Sequence, residues 1–572
     1  MFKSVSIFFL AITLAVSSVG APGPEVPGAH EKNPKKSGKA ATPVAAFVSS
    51  NIRFVKDSAR AFVSSTKWEV TGWRGEKVHT QVLISAETDL SDCIVKALPL
   101  SNKKGSSIPV KTGFVRYVIT DEFGDGCGGR KPGDFDSSYA ADPIDIISNG
   151  PVKKGLQPVW VSVAIPQDAE PGLYKGIIEV TAGKKYLLKY SVNVINRVLP
   201  PASEWSFDLD FWQHPAAIAR VHNVPLWSKE HYTFMKPYYT LLASAGQKNI
   251  TTSIINEPWN HQTYDDFPGL IKWTKKADGT WSYDYTLFDQ YVEFVMSCGI
   301  NKRINCYSMV PWELSFPYYD ETSGKETFLK AQTGSPEYNA FWKVMLVDFT
   351  AHLKSKGWFE KTTIAMDERP MKDMLAVIAL LKEVDPAWKI ALAGDYHPEI
   401  ENDIFEYCVA SRWQYPSDVS LRRRSAGKPT TFYTCCVEPY PNGFTFSPPA
   451  EHVFVGWYAA ANDFTGYLRW AYNSWVKNPL VDSRFHNWPA GDTYQVYPGP
   501  LTSIRFEKLI EGIQDFEKIQ ILTKEWKGNG QSKELIALGK VLDQFKIEAL
   551  KTTDAATMVE GAKRIINQPK TY

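Results

Sequence analysis

The sequence predicts a multidomain α/β protein with an N-terminal β-sandwich, a (β/α)8 barrel and a C-terminal helical segment. The chain has 572 residues, and single hydrophobic cores stop growing at roughly 250–300 residues. Its first part contains short alternating strands separated by turn residues. Its second part contains short apolar runs separated by helical patterns, which are typical of parallel βα units.

Residues 1–21 have the features of a signal peptide. Lys3 provides a basic start, Ile7 to Ala15 form an apolar run, and small residues follow up to Ala21. This run is too short for a membrane span, and no cysteine lies near its end to carry a lipid anchor. Residues 22–45 are rich in Pro, Gly and Lys, which predicts a disordered linker. We therefore expect a secreted or periplasmic protein without a membrane span.

The composition narrows the classes of partner. The formal net charge is +2, whereas nucleic-acid-binding surfaces are strongly basic, so we expect no nucleic-acid partner. No two histidines lie three or four residues apart, and the seven cysteines lack the spacing of a zinc site. We therefore expect no metal and no other cofactor. Cys127 lies in a glycine-rich stretch and is a candidate disulfide partner of Cys93, but the sequence leaves the pairing open.

Residues 46–197 predict the β-sandwich, which we expect to be an accessory domain. Four segments have the composition of strands, and Gly, Pro and Lys turns separate them. These segments are Val78–Ser85, Val159–Ile165, Gly176–Ala182 and Tyr186–Ile195. Beyond them, the proline pair that follows Leu199 predicts a stiff linker to the next domain.

Residues 204–500 predict the barrel, because eight short apolar runs alternate with helical patterns. Two of these patterns, Phe288–Cys298 and Tyr338–Leu353, are followed by a glycine where a helix C-cap is expected. The eight runs are Ser206–Trp212, Ile250–Asn256, Arg303–Met309, Thr362–Glu368, Lys389–Gly394, Tyr407–Trp413, Thr430–Cys436 and Gly466–Tyr472.

The fourth run ends in two adjacent carboxylates, Asp367 and Glu368, and Pro370 then prevents further strand pairing. Catalytic groups of (β/α)8 barrels lie at the carboxyl ends of the strands, which is where this pair falls. One protonated and one ionised carboxyl group is the combination that glycosidic bond cleavage requires. The alternative is structural, with Asp367 as the N-cap of the following helix.

Other strand ends carry polar and aromatic residues that are candidate sugar ligands. Carboxylates and amides bond hydroxyl groups, and Asp492, in a loop after the eighth run, offers two acceptor oxygens. Aromatic residues also pack in hydrophobic cores, so each one taken alone is ambiguous. The candidate substrate-binding residues are Asn256, Tyr396, His397, Trp413, Tyr415, Trp470, Tyr472, Trp475 and Asp492.

Residues 501–572 predict helices that pack on the barrel. The segment Ser503–Ile519 has apolar residues at three- and four-residue spacing, and the segments Lys533–Phe545 and Ala555–Ile566 have helical patterns. We expect the charged residues of the first helix to form structural ion pairs; they include Arg505, Glu507, Glu511 and Asp515.

Several of these segments resemble glycoside hydrolase family 123, the secreted exo-β-N-acetylgalactosaminidases. They are Met366–Pro370, Gly466–Trp475, Gly491–Gly499, Ser503–Glu507 and Glu511–Asp515. A wider group of related, largely uncharacterised barrel domains shares the motif of Gly491–Gly499 and the Glu-Gly motif at Glu511, so the acidic pair and the Trp-rich eighth strand carry the narrower resemblance. The resemblance implies removal of terminal β-linked N-acetylgalactosamine from glycolipids or glycans.

The resemblance also implies substrate-assisted retaining catalysis, in which the acetamido oxygen of the substrate attacks C1. Asp367 would orient and polarise the acetamido N–H, and Glu368 would be the general acid and then the general base. Two rival hypotheses stay open. One is a retaining β-glycosidase with Glu368 as acid/base and Glu438 as nucleophile, and the other is a non-catalytic carbohydrate-binding surface protein. The aglycone, the galacto or gluco preference and the oligomeric state are left undecided.

Overall fold

The N-terminal part of the protein is a β-sandwich, as predicted. The computed structural model describes residues 45–56, 62–121, 127–128, 137–413 and 415–568. The predicted signal peptide lies outside the described residues, and so does the predicted linker except for Ala45, which begins the first strand.

The sandwich consists of two sheets that share one core. Its strands are β1 Ala45–Val48, β2 Lys67–Arg74, β3 Lys77–Ala86, β4 Leu90–Ala97, β5 Leu100–Ser101, β6 Ser107–Ile108, β7 Lys111–Asp121, β8 Ser137–Asp145, β9 Asn149–Val152, β10 Gly155–Ala164, β11 Gly172–Ala182 and β12 Lys184–Val198. One sheet has the order β1-β3-β10-β7-β8, and the other has the order β2-β12-β11-β4-β9 with β5 and β6 at its side. Alternate residues face the core, so Val159, Val161 and Val163 are buried. The four predicted segments overlap β3, β10, β11 and β12.

The central part is a nearly closed barrel of eight parallel strands. These strands are β13 Asp208–Phe211, β14 Asn249–Ser253, β17 Arg303–Tyr307, β20 Thr362–Met366, β21 Lys389–Gly394, β22 Glu406–Ala410, β23 Thr430–Tyr433 and β24 Gly466–Arg469. Their order around the sheet is β13-β24-β23-β22-β21-β20-β17-β14. Between the two end strands, the N–H of Lys248 donates to the carbonyl of Leu209 at 2.9 Å. Each predicted apolar run overlaps one barrel strand.

A small four-stranded sheet lies in the loops of the barrel, and sequence analysis missed it. Its strands are β15 Lys272–Lys275, β16 Trp281–Asp284, β18 Ser315–Asp320 and β19 Lys325–Lys330, in the order β16-β15-β18-β19. These strands carry many charged and half-exposed residues, so they lack the apolar run by which a buried strand is recognised.

The helices are α1 Pro215–His222, α2 Lys229–Ala243, α3 Thr286–Ser297, α4 Pro336–Ser355, α5 Met371–Val384, α6 Ser417–Ser425, α7 Ala450–Ala461, α8 Ile504–Gly528, α9 Ser532–Leu542 and α10 Ala555–Ile566. Beyond α3 and α4, Gly299 and Gly357 have φ of 101° and 68°, the left-handed conformation expected where a helix ends. Within the described ranges, no helix is both long and apolar enough to cross a membrane.

Helix α8 is buried between the barrel and the sandwich. It packs on α7, and its polar side chains pair with the sandwich. Arg505 binds Asp142 at 2.8 Å, and Lys518 binds Glu76. The charged residues of this helix therefore form structural ion pairs, which explains why so many charges are buried along it.

Candidate active site

The two adjacent acids lie at the carboxyl end of β20, on the face of the barrel where catalytic groups are found. Helix α5 begins only at Met371, and its N-cap is Pro370, which provides no side-chain cap. The side chain of Asp367 is bound elsewhere. The structural alternative, in which Asp367 caps the next helix, is therefore wrong.

Asp367 is held by two groups. The indole N–H of Trp312 donates to Oδ2 at 2.7 Å, and Nε of Arg369 lies 3.3 Å from Oδ1. The guanidinium of Arg369 also lies over the Trp312 ring, 3.9 Å from its centroid, so the cation and the indole fix one another. This clamp turns Asp367 towards the loop that follows β17.

The environment of Asp367 raises the pKa of its carboxyl group. Burial is the largest cause, and the negative charge of Glu368 acts in the same direction. Arg369 and the Trp312 hydrogen bond act in the opposite direction and stabilise the ionised form. Asp367 is thus a largely buried carboxylate whose charge depends on these two neighbours.

Glu368 turns the other way, towards β23. The phenol of Tyr433, the last residue of β23, donates a hydrogen bond to its Oε1. Burial and the charge of Glu368 raise the pKa of Tyr433, so this phenol stays protonated and remains a donor. Tyr433 was not among the site residues predicted from the sequence. It lies within the seventh apolar run, and the structure shows that the strand ends at this residue.

Both acids line a cleft with a volume of about 290 Å³. Its walls are mainly aromatic and apolar, as is common in ligand pockets. The rings of Trp212 and Trp259 are 5.0 Å apart, and those of Trp470 and Trp488 are 5.5 Å apart. The aromatic residues of the wall are Trp212, Trp259, Trp312, Tyr433, Trp470 and Trp488. Such a cleft offers flat faces for a sugar ring beside two carboxyl groups.

Asp492 is buried behind Trp470. Nη2 of Arg469 binds its Oδ1 at 2.8 Å, and the Trp470 indole donates to its Oδ2 at 3.2 Å. Burial raises the pKa of Asp492 to about 6, although the Arg469 charge opposes this. The structure thus places Trp470 at the cleft and Asp492 where it orients the Trp470 ring.

The other predicted substrate ligands are dispersed. Asn256 lines a separate groove, and Tyr472 and Trp475 are buried in the hydrophobic core. The Tyr472 hydroxyl donates to the carbonyl of Tyr238 at 2.9 Å, and the Trp475 indole to that of Val496 at 2.7 Å. These contacts give them packing roles.

Residues near the ends of β21 and β22 also lie outside the cleft wall. The Tyr396 hydroxyl donates to Glu401 at 3.1 Å, and the backbone N–H of His397 donates to the Tyr407 hydroxyl at 2.7 Å. Tyr415 is buried, and its hydroxyl donates to the carbonyl of Tyr407 at 2.9 Å. Trp413 is exposed on the rim. Their roles as sugar ligands stay predictions.

Glu438, the nucleophile of the rival hypothesis, is buried below the surface of the loop after β23. Its Oε2 accepts from the N–H of Cys435 at 2.9 Å, and its Oε1 lies 3.5 Å from Nη1 of Arg412. It does not line the cleft, although its neighbours Cys436 and Val437 do. These contacts describe a carboxylate that braces a loop.

The sequence left the disulfide pairing open; Cys127 pairs with Cys436, so the candidate pairing with Cys93 is wrong. Cys93 is a buried free thiol in the core of the sandwich. The two bonded cysteines are 309 residues apart, and both line the cleft. The disulfide therefore ties a loop of the N-terminal domain to the wall of the candidate active site.

Among the described residues, two groups of side chains have the chemistry of metal ligands. Within each group, Glu257 with His261 and Asp266, and Cys127 with Cys435 and Cys436, the ligand atoms lie within 4.8 Å of one another. His261 already bonds Asp266 at 2.7 Å, and two of the three sulfurs form the disulfide. The expectation of no metal stays a prediction.

Comparisons with known proteins agree with this arrangement. The profile of the glycoside hydrolase 123 catalytic domain matches residues 212–522, and that of the family's N-terminal domain matches residues 47–182. No curated protein sequence matches the chain.

Among solved structures, a family 123 glycoside hydrolase from Clostridium perfringens, studied for glycolipid glycan hydrolysis, has a TM-score of 0.83 and 26% identity. The match covers 91% of this chain and 98% of that chain. A family 39 glycoside hydrolase from Bacteroides cellulosilyticus WH2 reaches only 0.34 at 11% identity, over 79% of this chain and 82% of that chain. The matched catalytic profile spans more than half of the sequence, and the chain belongs to glycoside hydrolase family 123.

Proposed function

We propose that this glycosidase removes terminal β-linked N-acetylgalactosamine from glycoconjugates by substrate-assisted, retaining catalysis. The observation that carries the proposal is the divergent pair at the end of β20. Asp367 is clamped by Trp312 and Arg369, whereas Glu368 is bonded by Tyr433 on the opposite side. The two acids therefore have separate surroundings and are suited to separate tasks.

Asp367 is suited to stabilise the substrate's own nucleophile. An ionised carboxylate can accept a hydrogen bond from the acetamido N–H and orient the acetamido oxygen towards C1. Positive charge then develops on the cyclising group, and a fixed, buried carboxylate stabilises it more than bulk water does. Because the nucleophile belongs to the substrate, the attack is intramolecular and has a high effective molarity.

Glu368 is suited to act as the general acid and then the general base. In the first step, its proton is transferred to the glycosidic oxygen as the bond to the aglycone breaks. In the second step, its carboxylate takes a proton from the water that opens the cyclic intermediate. Two displacements at C1 retain its configuration. Tyr433 holds the Glu368 side chain through both steps.

The surroundings of Glu438 argue against the two-carboxylate mechanism. A protein nucleophile in a retaining enzyme must reach C1, with its carboxyl about 5–5.5 Å from that of the acid. Glu438 is 4% exposed, and its carboxylate accepts hydrogen bonds from the Cys435 N–H and from Arg412. A purely binding role is also disfavoured, because a binder gains nothing from two adjacent acids that are held in separate surroundings in one cleft.

The comparisons support the substrate class only by analogy. The C. perfringens protein is described in terms of glycolipid glycan hydrolysis, and it shares this chain's architecture. We also propose that the protein is secreted or periplasmic. That proposal rests on the basic start and apolar run of residues 1–21.

A panel of 4-nitrophenyl β-glycosides tests the proposed activity. We expect turnover of the N-acetylgalactosaminide to exceed turnover of the N-acetylglucosaminide, the galactoside and the glucoside. Release of nitrophenol is the measurement, and a nuclear magnetic resonance time course of the first anomer formed tests retention. Dominant hydrolysis of the galactoside, or an inverted first product, would contradict the proposal.

A further inference from the structure

We propose that Arg412 forms an anion-binding subsite for the aglycone, so that substrates with a carboxylate or sulfate on the first aglycone sugar are preferred. The inference rests on the proposed function, because it concerns the part of the substrate that leaves the same cleft. Arg412 follows β22 at the carboxyl end of the barrel and lines the cleft together with the two acids.

Few charged side chains line the cleft. Among the described residues that line it, Arg412 is the single cation, and most of the others are aromatic or apolar. The Arg412 side chain is 35% exposed, so it is accessible from the cleft but partly shielded from water. An anion bound beside it would gain more than it would from a fully solvated arginine.

Among the described residues, the Arg412 guanidinium has more N–H donors than hydrogen-bond partners. It carries five N–H donors in a planar fork. In the part of the chain that the structure describes, its only hydrogen bond runs from Nη1 to Oε1 of Glu438 at 3.5 Å. The Trp413 ring flanks it, with the centroid 5.9 Å from the guanidinium carbon. The remaining donors fit the two oxygens of a carboxylate or of a sulfate ester.

The position of Arg412 assigns it to the aglycone. Glu368 turns towards Tyr433 on β23, and a general acid must face the oxygen that joins the sugar to the aglycone. Arg412 reaches the loop after β23 through Glu438, so it lies on that side. Asp367 turns instead towards Trp312, after β17. An acidic group on the first aglycone sugar would therefore meet Arg412, while the removed sugar lies against Asp367.

The test compares matched disaccharides in which β-N-acetylgalactosamine is linked 1→4 to glucose, to glucuronic acid or to glucose 6-sulfate. The measured quantity is the ratio of kcat/KM for each acidic substrate to that for the neutral one. We expect a ratio of roughly ten in the wild type, which corresponds to one charge-assisted hydrogen bond. We expect it to fall as salt is added. The ratios for the glucuronic acid and the glucose 6-sulfate substrates show whether carboxylate or sulfate is preferred.

The variants are Arg412→Met and a matched control, Arg424→Met. Arg424 on α6 is 32% exposed and also has one carboxylate partner, Asp463, but it does not line the cleft. We expect the ratio to fall close to one in Arg412→Met and to keep its wild-type value in Arg424→Met. Thermal unfolding verifies that both variants are folded.

A wild-type ratio of one or less would overturn the inference. So would an Arg412→Met variant that loses the same factor on acidic and neutral substrates, since that loss indicates a structural role through Glu438. Turnover of the neutral disaccharide without acid preference would leave the proposed function intact. If no N-acetylgalactosaminide is hydrolysed, the proposed function fails, and equilibrium binding of the same disaccharides then decides the subsite.

Discussion

The interface along α8 and the cleft at the end of β20 both bury carboxylates, but they supply different numbers of cations. Glu511 lies between Lys508 and Lys563, and its side chain is 11% exposed. Burial alone would raise the pKa of Glu511, but these two lysines more than offset it and lower the pKa. The Asp367 side chain is exposed to a similar degree, 13%, yet among the described residues only one cation, Arg369, forms an ion pair with it, at 3.3 Å.

The pKa values of Glu511 and Asp367 are therefore shifted in opposite directions, although their side chains are similarly exposed. At Asp367, burial and the Glu368 charge outweigh Arg369, and the pKa rises. Ion pairs that are fully matched keep their charge over a wide pH range and serve stability. An excess of acids in a cleft leaves protonation poised for change, which is a property of catalytic sites.

The largest effect is expected for Glu368→Gln. This change keeps the shape but removes the proton that the leaving group needs, so kcat/KM for unactivated glycosides should fall by about 10²–10⁴-fold. The loss should be smaller for an aryl glycoside with a good leaving group. Steady-state kinetics on both substrates is the measurement, with Glu399→Gln on the same rim as the exposed control. Near-normal hydrolysis of the unactivated substrate would remove Glu368 from this role.

For Lys518→Met, at the interface along α8, we expect a loss of stability without a loss of activity. Lys518 is fully buried and is paired with Glu76, so its loss leaves a buried carboxylate without its ion-pair partner. The free energy of unfolding should fall by about 3–5 kcal/mol. Denaturant unfolding measures it, and kcat at a temperature below the transition should be unchanged. The double variant Glu76→Gln/Lys518→Met should recover much of the loss; equal destabilisation of both variants would argue against an ion-pair effect.

A pH shift is expected for Arg369→Gln. Arg369 lowers the pKa of Asp367, so its removal lets burial raise that pKa further. Because the ionised form of Asp367 is the active one, activity is lost as pH falls through this pKa. The acid limb of kcat/KM should therefore move to higher pH in Arg369→Gln, and in the same direction in Trp312→Phe. A pH–rate profile measures the shift. An acid limb that stays in place would show that ionisation of Asp367 does not determine it.

The smallest effect is expected for Glu438→Gln. Burial raises the pKa of Glu438, as it does for Asp367, but this side chain braces a loop and does not line the cleft. The amide preserves an acceptor for the Cys435 N–H, so kcat/KM should fall by less than about tenfold. A collapse of activity that azide restores, with an inverted glycosyl azide as product, would support the two-carboxylate mechanism.

The sequence was sufficient to predict the strands of the barrel and the acids at the end of β20. Buried parallel strands are short apolar runs, and the acids follow such a run directly. The sequence could not predict which way the side chains near strand ends would point. Trp470 lines the cleft, whereas Tyr472, two residues later, is buried in the core. After a strand ends, the alternation of faces no longer applies.

The sequence also could not predict contacts between segments that are far apart along the chain. Cys127 and Cys436 are 309 residues apart, and only the folded sandwich and barrel bring them together. Trp312, in the loop after β17, and Tyr433, at the end of β23, hold the two acids, and their residue types alone gave no sign of these hydrogen bonds. Long-range pairing depends on how loops are arranged, which local patterns do not determine.

In the proposed mechanism the substrate supplies the nucleophile, and two substrates that differ only at C2 reveal whether it does. Two 4-nitrophenyl β-galactosides, identical except for a 2-acetamido or a 2-hydroxyl group, are assayed with the wild type and with Asp367→Asn. We expect the 2-hydroxyl substrate to be nearly inert, because it lacks the intramolecular nucleophile. We expect Asp367→Asn to lose activity on the 2-acetamido substrate. Comparable turnover of both substrates by the wild type would contradict the account.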